Sequence, residues 1–394
     1  MICLDHNATT QPEDAVVDAM IDALRLHWHN PSSVHRPGQE ARALVEKARA
    51  RVAALINAKP RQITFTSGGT ESLDWATREL LAAGTRAGRT TIVTSTIEHS
   101  AVRTLVNTLE RNRHATVRWA PVTNAGVFDL PALADLLDDT VALVCVQGAN
   151  NETGIIQPVD EVGALAREVG ATFLCDATQM VGKAPVDVQQ LACDAIAFSP
   201  HKFHGPKGVG ALWTRRGLTL PARLHGSQES GRRGGTENVP GIVGAGVAAD
   251  LALAWLADPS QPARLARLRD RFEAGVLARV PDALVIGRGH LPPDVEPAER
   301  VPNTTNIAFP GLSAEALVIT MSEHGLCASA GAACSSGSLE PSHVLGAMNV
   351  PAEIAVGALR FSLSRHTTEE EISRAIDIIA ECVARVRQSS ASLA

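Results

Sequence analysis

The sequence predicts an α/β protein, in which a mostly parallel sheet covered by helices on both faces is followed by a smaller α+β unit. Three observations carry this. As far as Trp213, short β-rich runs alternate with helical stretches, the pattern of a parallel sheet with crossover helices. An Ala-rich helical stretch from about Gly241 then stops at Asp258-Pro259-Ser260-Gln261-Pro262, which reads as a linker. Beyond it the pattern shortens to strand, helix, Gly/Ser/Ala-rich loop, strand and helix.

In order, a helix is expected after Pro12 and another over Gln39–Ile56, apolar at Ala43, Leu44, Ala48, Val52 and Leu55. Strands follow at Ile63–Thr66, Thr91–Ser95, Val117–Ala120, Ala142–Val146, Thr172–Cys175, Ala195–Phe198 and Val209–Trp213. Helices over Leu73–Ala82, Ala101–Leu109, Leu130–Leu137 and Val159–Val169 separate most of them. Leu291–Pro302 reads as a surface loop, before a strand at Thr305–Phe309, a helix at Ala314–His324, a strand at Leu359–Leu363 and a helix after Thr367. The predicted organisation is an N-terminal segment (1–14) against a small C-terminal domain (258–394), with a large domain (15–257) between. A Gly/Ser/Ala-rich loop at about 326–342 belongs to the small domain.

With 394 residues, 45% hydrophobic and 20% charged, the chain suits two domains of an ordinary globular protein. A net charge of −6 argues against a nucleic-acid surface. Residues 1–10 lack a basic region followed by an apolar core, and no apolar stretch is read as approaching the ~20 residues of a bilayer span, so no membrane association is expected. Seven scattered cysteines, without metal or redox spacing, point to a reduced cytoplasmic protein with no standing metal site.

In a parallel sheet the residues just after each strand face the ligand. Here those are Ser67-Gly68-Gly69-Thr70, Glu98-His99, Asn150-Asn151-Glu152-Thr153-Gly154, Asp176 with Gln179, and Ser199-Pro200-His201-Lys202. Singly, each such group is more often a cap or a turn; five at five strand ends form a coherent set. Small residues opening a helix leave backbone N–H groups free for a phosphate, with hydroxyls from Thr70 and Ser199 and a ring from His201. Asp176 suits a cationic pyridine nitrogen, and Lys202 an aldehyde. Lys207 is the rival lysine, but it sits in a Gly-Pro-Lys-Gly turn and is expected to face solvent. There is no tyrosine in the chain. Covering such a ring and bonding a phenolic oxygen on it cannot fall to Tyr here; His99 can stack on the ring face and Gln179 can bond the oxygen, although a lone His is more often structural.

The chain resembles the NifS/IscS group of cysteine desulfurases, most nearly the NifS type, nearly end to end. The resemblance rests on Leu4–Thr10, Asn30–Ser33, Ser67–Ser72, Glu98-His99, Asn150–Gly154, Asp176–Gln179, His201–Gly208, Gly231–Asn238, Ser335–Leu345 and Arg360–Arg365. It implies the aspartate-aminotransferase-like architecture of pyridoxal-phosphate fold type I, and a homodimer. It further implies pyridoxal 5'-phosphate as a Schiff base on Lys202, with Asp176 at the pyridine nitrogen, Gln179 at the phenolic oxygen and His99 on the ring. Gly69, Thr70, Ser199 and His201 would hold the phosphate, with Thr236 reaching it from the partner subunit. Asn151 and Arg360 would hold the carboxylate of L-cysteine. Cys334 takes the place of the persulfide-forming cysteine, and also of a transient iron–sulfur ligand. Sulfur would pass from Cys334 to an acceptor or iron–sulfur scaffold protein, for nitrogenase, housekeeping clusters or tRNA thiolation. A selenocysteine lyase, another lyase or aminotransferase of the same cofactor, and an inert scaffold are the alternatives.

Departures from the family pattern are Ala328-Ser329-Ala330-Gly331-Ala332-Ala333 before Cys334, and His225 before Gln228-Glu229. Cys327 is an additional thiol, expected to be a buried apolar residue rather than a sulfur relay.

Overall fold

The computed structural model describes residues 1–330 and 342–391. Along the chain lie β1 (Ile2–Cys3), α1 (Asp14–Leu26), α2 (Arg36–Leu55), β2 (Ile63–Thr66), α3 (Gly69–Arg86), β3 (Thr91–Ser95), α4 (Ser100–Arg111) and β4 (Thr116–Ala120). Next come α5 (Leu130–Asp135), β5 (Val141–Gln147), α6 (Val159–Glu168), β6 (Thr172–Asp176), β7 (Ala195–Phe198), β8 (Gly210–Thr214), α7 (Val239–Ala257) and α8 (Ser260–Arg279). The remainder is β9 (Leu284–Val285), β10 (Thr304–Ala308), α9 (Ala314–Glu323), β11 (Leu326–Cys327), β12 (Ser329–Ala330), α10 (His343–Ala347), α11 (Ala352–Ala355), β13 (Ala358–Ser362) and α12 (Glu369–Ala391).

The large sheet has the order β2-β8-β7-β6-β5-β3-β4. Its strands pair in parallel except β8, which runs antiparallel to both neighbours. β5, β6 and β7 are apolar except for Gln147, Thr172 and Asp176 at strand ends, and are buried along their length apart from the half-buried Thr172, because helices cover both faces. The seven strands match the predicted positions to within one residue at either end, since composition and length mark a doubly covered strand strongly.

Two expectations change. Asp258–Pro262 is not an extended linker: α8 begins at Ser260, and Asp258 Oδ1 accepts from the Ser260 N–H at 3.0 Å. Pro262 lies in the first helical turn, where its missing N–H costs nothing. Helix α7 has 19 residues and a mean hydropathy of 1.7, long and apolar enough by composition to cross a membrane. Its Gly- and Ala-rich surface instead packs closely on α1 and α2, as shown by Gly246 lying where a Cβ would meet Ala48 at 2.7 Å.

The second sheet, β12-β13-β10-β9, is antiparallel, and β1 pairs in parallel with β11. Its apolar face and helices α8, α9 and α12 bury a core around Phe272, Phe309, Phe361, Leu317 and Ile379, joined by Ile2 and Leu4 from the N-terminus. Residues 5–8 then cross back toward the large sheet, with the His6 N–H donating to Ser362 O and the Thr10 N–H to His201 O.

Candidate active site

The carboxyl ends of β2, β3, β5, β6 and β7 lie at one edge of the large sheet and open on a cavity of about 330 Å³. Gly69, Thr70, His99, Asn151, Asp176, Gln179, Ser199, His201 and Lys202 all line it. The fold therefore converges nine of the residues singled out by position after strands.

At one end stands the N-terminus of α3. The Gly69 N–H donates to Ser199 Oγ at 2.7 Å, and a Cβ on Gly69 would sit 2.8 Å from the same oxygen. Only glycine lets this backbone come so near, and the helix dipole adds positive potential. Gly210 permits the approach from below, since a Cβ there would lie 2.3 Å from Gly68 C. His201 shares a hydrogen bond with Thr9 Oγ1 at 3.1 Å. Burial, then the charges of Lys202, Lys207 and Lys183, pushes it down to about 4. Near neutral pH this ring is an uncharged hydrogen-bonding group.

Asp176 is buried at the end of β6, with Oδ1 accepting the Thr178 N–H at 3.0 Å. His99 caps α4, its Nδ1 accepting from the Ala101 N–H at 3.1 Å. The neutral ring therefore carries its proton on Nε2. Burial lowers the His99 pKa, Asp176 opposes that, and Lys202 and Arg360 reinforce it.

Lys202 follows β7 in a short 3₁₀ turn, and its Nζ donates to Asn7 O at 2.7 Å and Ala8 O at 2.9 Å. Lys207 is exposed, as the turn suggested, although it borders the cavity. Gln179 Nε2 donates to Asn7 O at 3.1 Å, while Gln179 Oε1 accepts from Lys183 Nζ. Lys183 also donates to Asn7 Oδ1 at 2.7 Å. Burial, with Lys202 and Arg360 nearby, holds this amine well below the lysine range. Asn7 and Lys183 are site residues that the sequence reading missed. Asn7 lay inside a motif quoted without a role, and Lys183 follows Gln179 by one turn.

Arg360, on β13, is buried and does not line the cavity wall. Its Nη1 donates to Asn151 O at 3.2 Å and its Nη2 pairs with Asp5 at 2.6 Å. Its Nε is buried without a partner among the described residues. Beside Asn151, Glu152 accepts from Ser342 Oγ at 2.5 Å, and burial raises it to about 7 against the pull of Ser342, Arg360 and Arg103.

Thr236 lines a separate neighbouring cavity that shares Ser67 and Gly208 with the first. Its loop is anchored by Glu229, which takes both terminal nitrogens of Arg49 at 2.6 and 2.7 Å and the Phe65 N–H at 2.8 Å. Cys334 lies outside the described residues. Cys327 is half-buried rather than enclosed, with Sγ 3.6 Å from Met1 Sδ, because it alternates with the core-facing Leu326 and Ala328 on the two-stranded β1-β11 ladder.

Residues 2–375 match the class-V aminotransferase family. A cysteine desulfurase of Sinorhizobium fredii is 46% identical over 98% of this chain and 98% of its own length. The cysteine desulfurase NifS of Azotobacter vinelandii is 44% identical over 99% and 94%. Among solved structures, a NifS-like protein superposes with a TM-score of 0.87 at 35% identity, covering 97% of this chain and 99% of its own. SspA in complex with cysteine superposes with a TM-score of 0.77 at 27% identity, covering 93% and 100%. With near full-length agreement in sequence and fold, the chain belongs to the class-V aminotransferase family, among its cysteine desulfurases.

Proposed function

We propose that this protein is a pyridoxal-phosphate-dependent cysteine desulfurase that converts L-cysteine to L-alanine and keeps the sulfur as a persulfide on Cys334. The observation that carries the reading is the cavity itself, which brings Lys202, Asp176, His99 and the α3 N-terminus together. These residues fit the cofactor. The Gly69 cradle and Ser199 suit a phosphate, buried Asp176 a cationic ring nitrogen, and Lys202 an aldehyde.

When bound, pyridoxal phosphate supplies the aldehyde that holds the substrate amine and the ring that accepts electrons from its α-carbon. Asp176 keeps a proton on the ring nitrogen. Lys202 Nζ takes the proton from the substrate α-carbon. His99 covers the ring and holds its own proton on Nε2. Arg360 and Asn151 orient the substrate carboxylate, for which a guanidinium fork is suited. The Cys334 thiolate forms an S–S bond to the substrate sulfur as the C–S bond breaks, and protonation of the remaining carbon skeleton yields alanine.

We further propose a cytoplasmic homodimer in which Thr236 completes the partner's phosphate site, with an iron–sulfur scaffold protein as sulfur acceptor, including service to nitrogen fixation. Trp28 is 71% and Val34 93% exposed next to α1 and α2, which supports a covering partner there. Sulfide and alanine from L-cysteine test the function. Wild type yields both, Lys202→Ala loses the visible absorption of lysine-bound cofactor, and Cys334→Ala keeps that absorption but yields neither product. Alanine from Cys334→Ala would make the protein a lyase that needs no thiol, such as a selenocysteine lyase.

A further inference from the structure

Outside the active site, the N-terminal strand brings two accessible thiols into register. Cys3 on β1 stands directly opposite Cys327 on β11, and opposed residues of a parallel ladder project to the same face. The ladder is held by the Ile2 N–H to Gly325 O and the Leu4 N–H to Cys327 O, both 2.8 Å. Neighbouring strands lie roughly 4.8 Å apart, inside the roughly 4.4–6.8 Å between Cα atoms that a disulfide spans. Cys3 is exposed and Cys327 half-buried, whereas Cys145, Cys175, Cys193 and Cys382 are all buried. Ile2, Leu4 and Leu326 face the core, which turns both thiols to the outer face.

We propose that Cys3 and Cys327 form a reversible dithiol–disulfide site, oxidised by low-molecular-weight disulfides. One thiolate attacks the disulfide RSSR, forming a mixed disulfide and releasing one thiol. The second thiolate attacks the protein sulfur of that mixed disulfide, closing the Cys3–Cys327 bond and releasing the second thiol. Two protein thiols are oxidised, one RSSR is reduced to two RSH, and the two thiol protons leave with them. Burial pushes the Cys3 thiol above its ordinary range, an Asp5 backbone hydrogen bond opposes this, and the Cys327, Asp5 and Glu371 charges add to it. Thiolate formation at Cys3 therefore slows the exchange near neutral pH and favours it in alkali. The bond staples the chain's first strand to the one that leads through Ser329–Ala330 toward Cys334.

The experiment treats the cofactor-loaded protein with oxidised glutathione and combines thiol counting with peptide mass spectrometry without reduction. The expected result is a linked Cys3–Cys327 peptide pair that dithiothreitol reverses, with a loss of two thiols per chain counted in Cys334→Ser, where the reactive thiol of the proposed function is absent. The link should survive Cys334→Ser, which removes the other cysteine of the same peptide region, and vanish in Cys3→Ser and Cys327→Ser. A link that persists in Cys327→Ser, or glutathione adducts on both residues without a cross-link, overturns the proposal.

Discussion

Lys183 shows how one buried side chain organises the cofactor edge. By donating to Gln179 Oε1 it makes the Gln179 amide present its NH₂ group as the donor side. A bond from Gln179 to a phenolic oxygen depends on that orientation. Lys183→Met should cost about 1–3 kcal/mol, because Gln179 Oε1 loses its donor in the interior and Asn7 Oδ1 is left with the Asn303 amide alone of its two donors. It should also shift the visible absorption of the bound cofactor, whereas a purely structural loss lowers the melting temperature and leaves the spectrum unmoved. Glu152 offers a test by pH. Its folded pKa of about 7 lies above its ordinary value of 4.5. The stability tied to its protonated form is present below pH 4.5 and lost as pH rises through 7. Glu152→Gln should therefore gain in melting temperature relative to wild type at pH 8 and show little of that gain at pH 5, read by calorimetry at both. Gln179 was legible as a strand-end residue, but Lys183 was not, since no periodicity reports which lysine is enclosed.

At the scale of elements, the loop that carries Thr236 depends on a contact from α2. Arg49 forks onto Glu229, which also accepts from β2 through the Phe65 N–H, and Glu229 and Ser230 both hold left-handed backbone at φ 51° and 58°. Neither residue favours that conformation, so the ion pair and the β2 bond must hold it. Arg49→Met takes both guanidinium bonds from the buried Glu229 carboxylate, leaving only the more distant charges of Arg232 and Arg233, and the expected cost is about 3 kcal/mol. Thermal melting measures it, and retention of cofactor on dialysis shows whether the Thr236 loop moves with it. The sequence reading placed β2 correctly and α2 to within three residues, but saw Glu229 only as part of a motif. A contact across 180 residues leaves no local mark.

For the whole molecule, the decisive expectation is a site shared between subunits. Lys202→Ala and Thr236→Val should each be poorly active as homodimers. In a mixed dimer, one site would unite an intact Lys202 with the other subunit's intact Thr236, so about half of wild-type activity should return in the purified mixed dimer and about a quarter in the statistical mixture from co-expression. A site built within one chain predicts no recovery, because neither subunit then holds both residues.

The sequence by itself determined the sheet, which strand-end residues line the cavity, and the family. Strand runs, helix-opening glycines and the Asp176, Gln179 and Lys202 positions are set by neighbours along the chain, so they survive translation into a linear pattern. Tertiary structure alone decided that Asn7 would receive Lys202 and Gln179, that Arg360 would pair with Asp5, and that Cys3 would oppose Cys327. These are contacts between segments hundreds of residues apart. They arise only when the N-terminal strand docks on the second sheet, and the apolar burial of Ile2 and Leu4 drives that docking.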